Sequence, residues 1–192
     1  MQDSTGYKIA KAARKLLEKH GAAGVTMRGV AEAVGITPMA VYRHYANRAD
    51  LLNALANEGF AELALQLKAA GAHRGIEQRL LKMADAFLDH ALGNPQLFEL
   101  MFLKTRTGAR RYPQDFAQGE SPTANPLIEA IHEGMQSGYL RKDNAVEVVF
   151  EMGALSHGLI MLFLGGRIAV SAEEFRKLYS RSFRRYLRGI RK

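Results

Sequence analysis

The chain of 192 residues contains no cysteine, so disulfides, thiol chemistry and thiolate metal sites are excluded. Its first residues, MQDSTGYK, lack the apolar segment that a signal peptide needs. The longest weakly polar run, residues 152–166, is shorter than a membrane-spanning helix and contains Ser156 and His157. These absences together predict a cytoplasmic protein that associates with no membrane.

The motifs of the common enzyme classes are missing as well. The sequence has no glycine-rich nucleotide loop, no HExxH zinc motif and no nucleophile elbow. Its six histidines are scattered, and their spacings do not converge on a metal site. The sequence therefore predicts a protein that is not an enzyme and that needs no metal or other cofactor.

The positive charge, +8 in all, is concentrated at the two ends of the chain. Residues 1–52 carry eight Lys or Arg against four Asp or Glu, and residues 173–192 carry eight against two. A basic N-terminal segment is what a nucleic-acid phosphate backbone attracts. The basic C-terminal segment has two interpretations, a solvated final helix or a surface with nonspecific attraction to DNA.

Residues 26–44, TMRGVAEAVGITPMAVYRH, predict two short helices joined by a three-residue turn. Thr26 can cap the first helix and Thr37 the second, with Pro38 at its first position. Gly35 lies where the chain reverses, because glycine tolerates a positive φ. This arrangement matches a helix-turn-helix, whose second helix enters the DNA major groove. A plain corner between two helices is the alternative.

The segments around this unit add a family resemblance. IAKAARKLLEKHG from Ile9, VTMRGVAEAVGITPMAVYRHY from Val25 and NRADLL from Asn47 closely resemble the DNA-binding domain of the TetR family of transcriptional regulators. Two positions depart from the usual pattern: Arg48 stands where Lys is more usual, and Gly6 where a basic residue often precedes the first helix.

The resemblance implies an all-α protein of about nine helices with two domains. Residues 1–52 would form a three-helix DNA-binding head, a fourth helix of about residues 48–70 would connect, and residues 71–192 would form a ligand-binding and dimerisation domain. Such a protein is a ligand-responsive regulator, most often a repressor, which binds a palindromic operator as a homodimer. Its partners would be double-stranded DNA, a small-molecule effector and a second copy of the chain.

The candidate DNA-binding residues fall into two groups. The first turn of the second helix lies nearest the base edges in this geometry, and Arg43 can contact either guanine or phosphate. The resemblance implies that Tyr42 and His44 bind phosphates, flanked by residues of the first helix, and Arg48 suits a phosphate too. His44 could instead be a solvated histidine at a helix end, and Tyr42 a core aromatic. The full set is Thr26, Arg28, Thr37, Pro38, Met39, Ala40, Tyr42, Arg43, His44 and Arg48.

The last two helices are the candidate dimer interface. Residues 146–164 are apolar almost all round, and a helix of that kind must be buried on more than one side. A second copy of the chain can cover the remaining side, as in a four-helix interface. The candidate interface residues are Leu155, Leu159, Leu162, Phe163, Phe175, Tyr179, Phe183 and Tyr186. On this hypothesis a charge at Phe183 breaks the dimer.

A small-molecule pocket is predicted between the helices of the C-terminal domain, where flexible methionines can adapt to a ligand. Its candidate lining residues are Met83, Phe87, Met101, Phe102, Met135, Phe150, His157 and Met161. Ordinary core packing is the alternative for each of the apolar residues, and for His157 the alternative is a histidine satisfied by a neighbouring carbonyl. The sequence GALSHGLIMLF weakly resembles one TetR branch that carries a Trp-His-Gly signature, with Ser156 in place of the Trp.

Two other functions remain open. A small-molecule-binding helical protein without sequence-specific DNA readout would bind DNA in a salt-sensitive but sequence-blind way. An α-helical enzyme would need an active site in the C-terminal bundle, which no motif supports.

Overall fold

The computed structural model describes residues 4–73 and 75–192, and this part of the chain folds into ten helices. The first half of the chain contains α1 (Thr5–Gly24), α2 (Met27–Val34), α3 (Pro38–Tyr42), α4 (Arg48–Ala70), α5 (Ile76–Gly93) and α6 (Pro95–Phe102). The second half contains α7 (Gln114–Ala117), α8 (Asn125–Gln136), α9 (Ala145–Leu164) and α10 (Ala172–Ile190).

The predicted all-α fold is confirmed, with small differences at helix ends and in one loop. The first helix runs to Gly24 across a kink at Gly21, where φ is 66°. The loop after α6 contains the one-turn helix α7, which brings the number of helices in the described residues to ten rather than nine. Side-chain caps stabilise the starts of α4 and α10, where Asp50 N–H bonds to Asn47 and Glu174 N–H bonds to Ser171.

The chain divides into two compact units. The first unit consists of Met1–Phe60 and Gly93–Ala109, so it contains α1 to α3, the first half of α4, and α6. Its core is built from the apolar stripes of these helices, which follow helical spacing. The buried side chains of this core include Ile9, Ala13, Leu17, Val30, Val41, Leu51, Leu55, Leu97 and Phe98.

The helix α6 packs tightly against α4 within the first unit. A Cβ atom at Gly59 would lie 2.6 Å from the sulfur of Met101 and 2.9 Å from a methyl of Leu97, so the absence of a side chain at Gly59 leaves space that these two side chains fill. The rings of Phe60 and Phe102 meet edge to face with centroids 5.1 Å apart. The sequence predicts that residues 95–102 belong to the C-terminal domain, whereas the structure groups α6 with the N-terminal helices.

The second unit consists of Ala61–Leu92 and Arg110–Lys192. Its long helices are α5, α9 and α10, with α8 against α9. The buried face of α10 recurs every four residues, at Phe175, Tyr179, Phe183 and Leu187. Tyr179 carries its hydroxyl into this core and hydrogen-bonds there with the buried Ser156 of α9.

The helix α9 is, by length and composition, apolar enough to cross a membrane. The buried helix of a soluble protein passes the same test, so this finding is weak evidence for a membrane span. One side of α9, from Val148 through Met152 to Ile160, is buried within the second unit.

Candidate nucleic-acid interface

The helix-turn-helix is shaped by hydrogen bonds between residues close in sequence. The hydroxyl of Thr26 accepts a bond of 3.0 Å from the N–H of Gly29 and so caps α2. The hydroxyl of Thr37 caps α3 by accepting from the N–H of Ala40 at 3.3 Å. Between them Gly35 has φ of 76°, and its N–H bonds to the carbonyls that end α2. These local bonds fix the direction in which α3 leaves the turn.

Packing then separates a buried face from an exposed one. Val30, Ala31 and Val41 point into the core of the first unit and hold α2 and α3 together. The predicted DNA-binding side chains lie on the outside, all of them exposed except Ala40, which is half-buried. Met39 is 65% exposed and Tyr42 is 47% exposed. The interpretation of Tyr42 as a core aromatic is therefore wrong.

The exposed face can bind a nucleic acid through several kinds of group. Thr26 uses its oxygen as an acceptor for the cap, and its hydroxyl hydrogen can still be donated to a phosphate oxygen. Arg28 and Arg43 add cationic donors on the same two-helix unit. The exposed apolar group of Met39 suits the methyl of a thymine.

A row of lysines on α1 adds positive charge to the first unit. Lys8, Lys11, Lys15 and Lys19 line a shallow groove of about 360 Å³ between α1 and the C-terminal end of α2. Their spacing of three or four residues places like charges next to one another along the helix. The row therefore strengthens the attraction of this unit for a polyanion.

His44 lies against the start of α1. A Cβ atom at Gly6 would come within 3.3 Å of the Nδ1 atom of His44, so the small residue at position 6 leaves room for the imidazole. At position 6, where the family often has a basic residue, His44 therefore packs close to the backbone of α1. The imidazole remains exposed beside Tyr42.

Arg48 has a different environment from the one expected. Its Nε atom donates to the carbonyl oxygen of Val25 at 2.6 Å, and its Nη2 atom donates to the carbonyl oxygen of Ala22. The side chain therefore bonds to the end of α1, whereas the sequence predicted a phosphate contact. The two acceptors lie 23 and 26 residues earlier in the chain. No sequence pattern predicts a bond to backbone carbonyls at such a separation.

The predicted pocket residues divide between the two units. Met101 and Phe102 belong to the first unit, where they pack on Gly59 and Phe60. Phe150 and Met161 are 43% and 46% exposed on α9. The remaining four, Met83, Phe87, Met135 and His157, belong to the second unit.

Phe87 and His157, two of the predicted pocket residues, are in direct ring contact. Their rings meet edge to face with centroids 5.2 Å apart. The Nδ1 atom of His157 lies 2.7 Å from the carbonyl oxygen of Gly153, one turn earlier on α9, so Nδ1 carries a proton and donates. Burial lowers the pKa of His157 below its usual value, since the charged ring loses hydration, while the Gly153 bond acts in the opposite direction.

Phe150 takes part in an aromatic cluster that the sequence analysis missed. Its ring stacks on Tyr112 with centroids 4.1 Å apart, and Phe116 of α7 meets it edge to face. The loop before α8 is thereby held against α9. The only signal in the sequence was the presence of two aromatic residues in an otherwise polar, basic loop.

The predicted dimer residues separate into buried and exposed groups. Phe175, Tyr179 and Phe183 are buried inside the second unit of a single chain, so they have almost no surface left to offer a partner. Leu162 is 47% exposed on α9, and Leu155, Leu159, Phe163 and Tyr186 are partly exposed. The residues assigned to a partner on α10 are thus mainly core residues, because α10 turns its aromatic stripe toward α9.

No group of three or more His, Asp or Glu that could hold a metal ion exists among the residues that the structure describes. The fold and this surface define an all-helical protein with an N-terminal helix-turn-helix.

The comparisons with known proteins identify its family. The model for bacterial regulatory proteins of the tetR family matches residues 9–55, and the model for the tetracyclin repressor-like C-terminal domain matches residues 80–187. The second match alone covers more than half of the chain. The chain belongs to the TetR family.

Individual relatives are distant. HTH-type transcriptional regulator Rv1816 of Mycobacterium tuberculosis is 27% identical over 137 residues, which are 70% of this chain and 58% of that protein. A protein of unknown function from Rhodococcus sp. RHA1 has the same fold, with a TM-score of 0.84 at 23% identity over 99% of this chain and 96% of that one. A TetR variant from Acinetobacter baumannii AYE, solved in complex with minocycline, has a TM-score of 0.68 at 21% identity over 97% of this chain and 96% of that one.

Proposed function

We propose that this protein is a transcriptional regulator that binds a palindromic DNA operator as a homodimer and releases it on binding a small molecule. The observation that carries the DNA-binding part is the surface of residues 26–44, where capped, rigid helices expose hydroxyl, guanidinium and imidazole groups. We further propose that it acts in the cytoplasm and that it represses transcription, as the name of the matched C-terminal family suggests.

The contacts with DNA are proposed to divide between α2 and α3. Thr26, Arg28, Tyr42 and His44 would donate to phosphate oxygens and so set the register of the head on the duplex. The first turn of α3, with Met39 as its most exposed side chain, would meet the base edges. Arg43 is the proposed bidentate contact to guanine.

The homodimer is proposed to form through the exposed face of α9. Met161 and Leu162 are 46% and 47% exposed there, and Ala154 and Gly158 on the same side are small enough to allow close approach of a second helix. An apolar helix surface of this kind is typical of an interface. A two-fold dimer would present two heads, which matches an operator with two inverted half-sites.

The effector is proposed to bind in the second unit near Phe87 and His157. The Acinetobacter relative binds minocycline, which supports a small-molecule site in this fold without identifying the ligand of this chain. A ligand can release DNA only if it binds the DNA-incompetent arrangement more tightly than the competent one. A compound that lowers operator affinity in the wild type should lose its effect in a His157→Ala variant.

Selection of bound sequences from a random DNA pool at roughly physiological salt tests the proposal. An enriched inverted repeat is the expected result and would supply the probe for effector screening. Binding without enrichment, lost as salt rises, would contradict sequence-specific regulation and favour the rival function of a small-molecule-binding helical protein.

The Arg28→Ala and Arg43→Ala variants sharpen this test. Arg28→Ala should weaken binding to all sequences about equally, because a phosphate contact carries no sequence information. Arg43→Ala should relax the preference at one position of each half-site, at a cost of about 1–3 kcal/mol against the selected base. A uniform loss in Arg43→Ala would reassign that residue to a phosphate.

A further inference from the structure

We propose that Arg48 is a positioning residue, which holds the phosphate-binding end of α2 in place through the backbone and does not itself bind phosphate. The proposal rests on the DNA-binding function proposed above. It starts from the direction of the side chain, which reaches back from the first residue of α4 to the link between α1 and α2.

The acceptors of Arg48 are carbonyl groups at the end of a helix. The carbonyl of Ala22 also accepts from the N–H of Val25 at 3.2 Å, and the dipole at the end of a helix favours a cation there. Arg48 supplies both the charge and the donors, to Ala22 and Val25. The planar guanidinium can serve two neighbouring acceptors at once, which the point charge of a lysine does less well.

The bond to Val25 acts directly on the proposed DNA contacts. Val25 is fully buried and immediately precedes Thr26, whose hydroxyl caps α2 at Gly29. Holding the Val25 carbonyl therefore fixes the orientation of Thr26 and, two residues further on, of Arg28. The start of α4 is fixed in turn by the reciprocal bonds between Asn47 and Asp50, of 2.9 and 3.0 Å.

This arrangement also explains what the guanidinium contributes at a position where the family usually has Lys. Two of its N–H donors are directed inward at the backbone, so the side chain lies along the α1–α2 link. A residue at the start of the connecting helix thus acts on Thr26 through one covalently adjacent residue. Displacement of the first turn of α4 would be transmitted to the same carbonyl.

The first experiment measures hydrogen exchange in the DNA-free protein. Arg48→Ala should raise the exchange of the amide hydrogens of Val25, Gly29 and Val30 about tenfold or more, since bonds from charged donors are stronger than neutral ones. Arg28→Ala, at an exposed residue in the same segment, should leave them unchanged. Equal protection in Arg48→Ala and the wild type would overturn the proposal, whether or not the protein binds DNA.

The second experiment measures DNA affinity against salt concentration, with Arg28→Ala as the control for a direct phosphate contact. Loss of one phosphate contact reduces the slope of log K against log salt by about 0.9. Arg28→Ala should show this reduction, whereas Arg48→Ala should lose affinity with the slope unchanged. A slope reduced equally in Arg48→Ala would overturn the proposal.

The Arg48→Lys variant keeps the charge and removes the planar pair of donors. In this variant the amide hydrogens of Val25 and Gly29 should exchange faster than in the wild type, and DNA binding should be weaker. Full recovery of both properties by lysine would show that charge alone suffices and would overturn the proposal. This variant also serves if Arg48→Ala does not fold. If the wild type shows no salt-dependent DNA binding, the proposed function fails, and the exchange data still decide the role of Arg48.

Discussion

The helix-turn-helix and the α9–α10 pair differ in the kind of contact that determines their geometry: local in the first, long-range in the second. In residues 26–44 each capping hydroxyl bonds to a backbone N–H three residues later, so the geometry is set locally. In α9 and α10 the decisive contacts join distant residues, such as Ser156 with Tyr179 and Phe163 with Phe175. A short-range signal in the sequence therefore located the first region, and an apolar pattern alone could not orient the second.

The α9–α10 pair itself contains a second contrast, between two sets of residues that the sequence had assigned to one interface. The aromatic stripe of α10 is buried within a single chain, whereas Leu162 of α9 remains about half exposed. Both sets are apolar and follow helical spacing. Their substitution should accordingly have separable effects, on folding for α10 and on association for α9.

The largest effect is expected from Phe183→Ala. Phe183 is 2% exposed, so its truncation leaves a cavity and should lower the free energy of unfolding by about 3–5 kcal/mol. Urea denaturation of the variant and of Leu65→Ala, at a residue 70% exposed, measures the difference. A loss below about 1 kcal/mol would show that Phe183 is not a core residue. A charge at this position should unfold the chain, so it cannot serve as a dimer-specific probe.

The next effect concerns association through α9. If a partner covers Leu162, the Leu162→Glu variant should weaken the dimer at least about tenfold, because burying a leucine contributes about 1.5–3 kcal/mol. Sedimentation across a range of concentrations measures this. Leu65→Glu places the same charge on another exposed leucine and should leave the dimer intact. Undiminished dimerisation of Leu162→Glu would remove this face from the interface.

A smaller effect is expected at the local caps of the head. Thr26→Ala removes the acceptor for the Gly29 N–H and should cost about 1 kcal/mol of stability. Thr26→Ser keeps the acceptor and should retain most of the stability of the wild type. Thermal unfolding of the three proteins makes the comparison. If serine were no better than alanine, the hydroxyl would not be the stabilising group.

The smallest effect is a pH dependence that originates at His157. Burial lowers the pKa of this side chain from 6.5, so the unfolded chain binds a proton more readily than the folded one. The folded state should therefore lose stability as the pH falls through 6.5 toward the folded pKa, and should gain nothing further above that range. Denaturation at pH 7.5 and pH 5.5 measures the loss.

The histidine contribution can be isolated by substitution. His157→Gln should lose less stability than the wild type between the two pH values, since it has no imidazole to protonate. His132→Gln, at an exposed histidine of α8, should follow the wild type. An unchanged pH dependence in His157→Gln would place its origin at another group.

Much of the fold followed from residues that act over three or four positions. Helical spacing located the long helices, and Thr26, Thr37 and Gly35 marked the caps and the turn of the helix-turn-helix, because capping bonds and a positive φ depend on the nearest neighbours. The family resemblance of residues 9–52 rests on the same local pattern. Tyr42 and Arg43 are both exposed, as the predicted DNA contacts require.

The contacts between distant residues could not be inferred in this way. Nothing near Arg48 in the sequence identifies Ala22 and Val25 as its acceptors, and nothing in α6 shows that Met101 packs on Gly59. Periodicity tells which residues of α10 share a face, but the element that covers that face depends on how the helices pack. The local pattern thus determined the helices and the helix-turn-helix. Long-range packing determined which apolar faces became core and which remained at the surface.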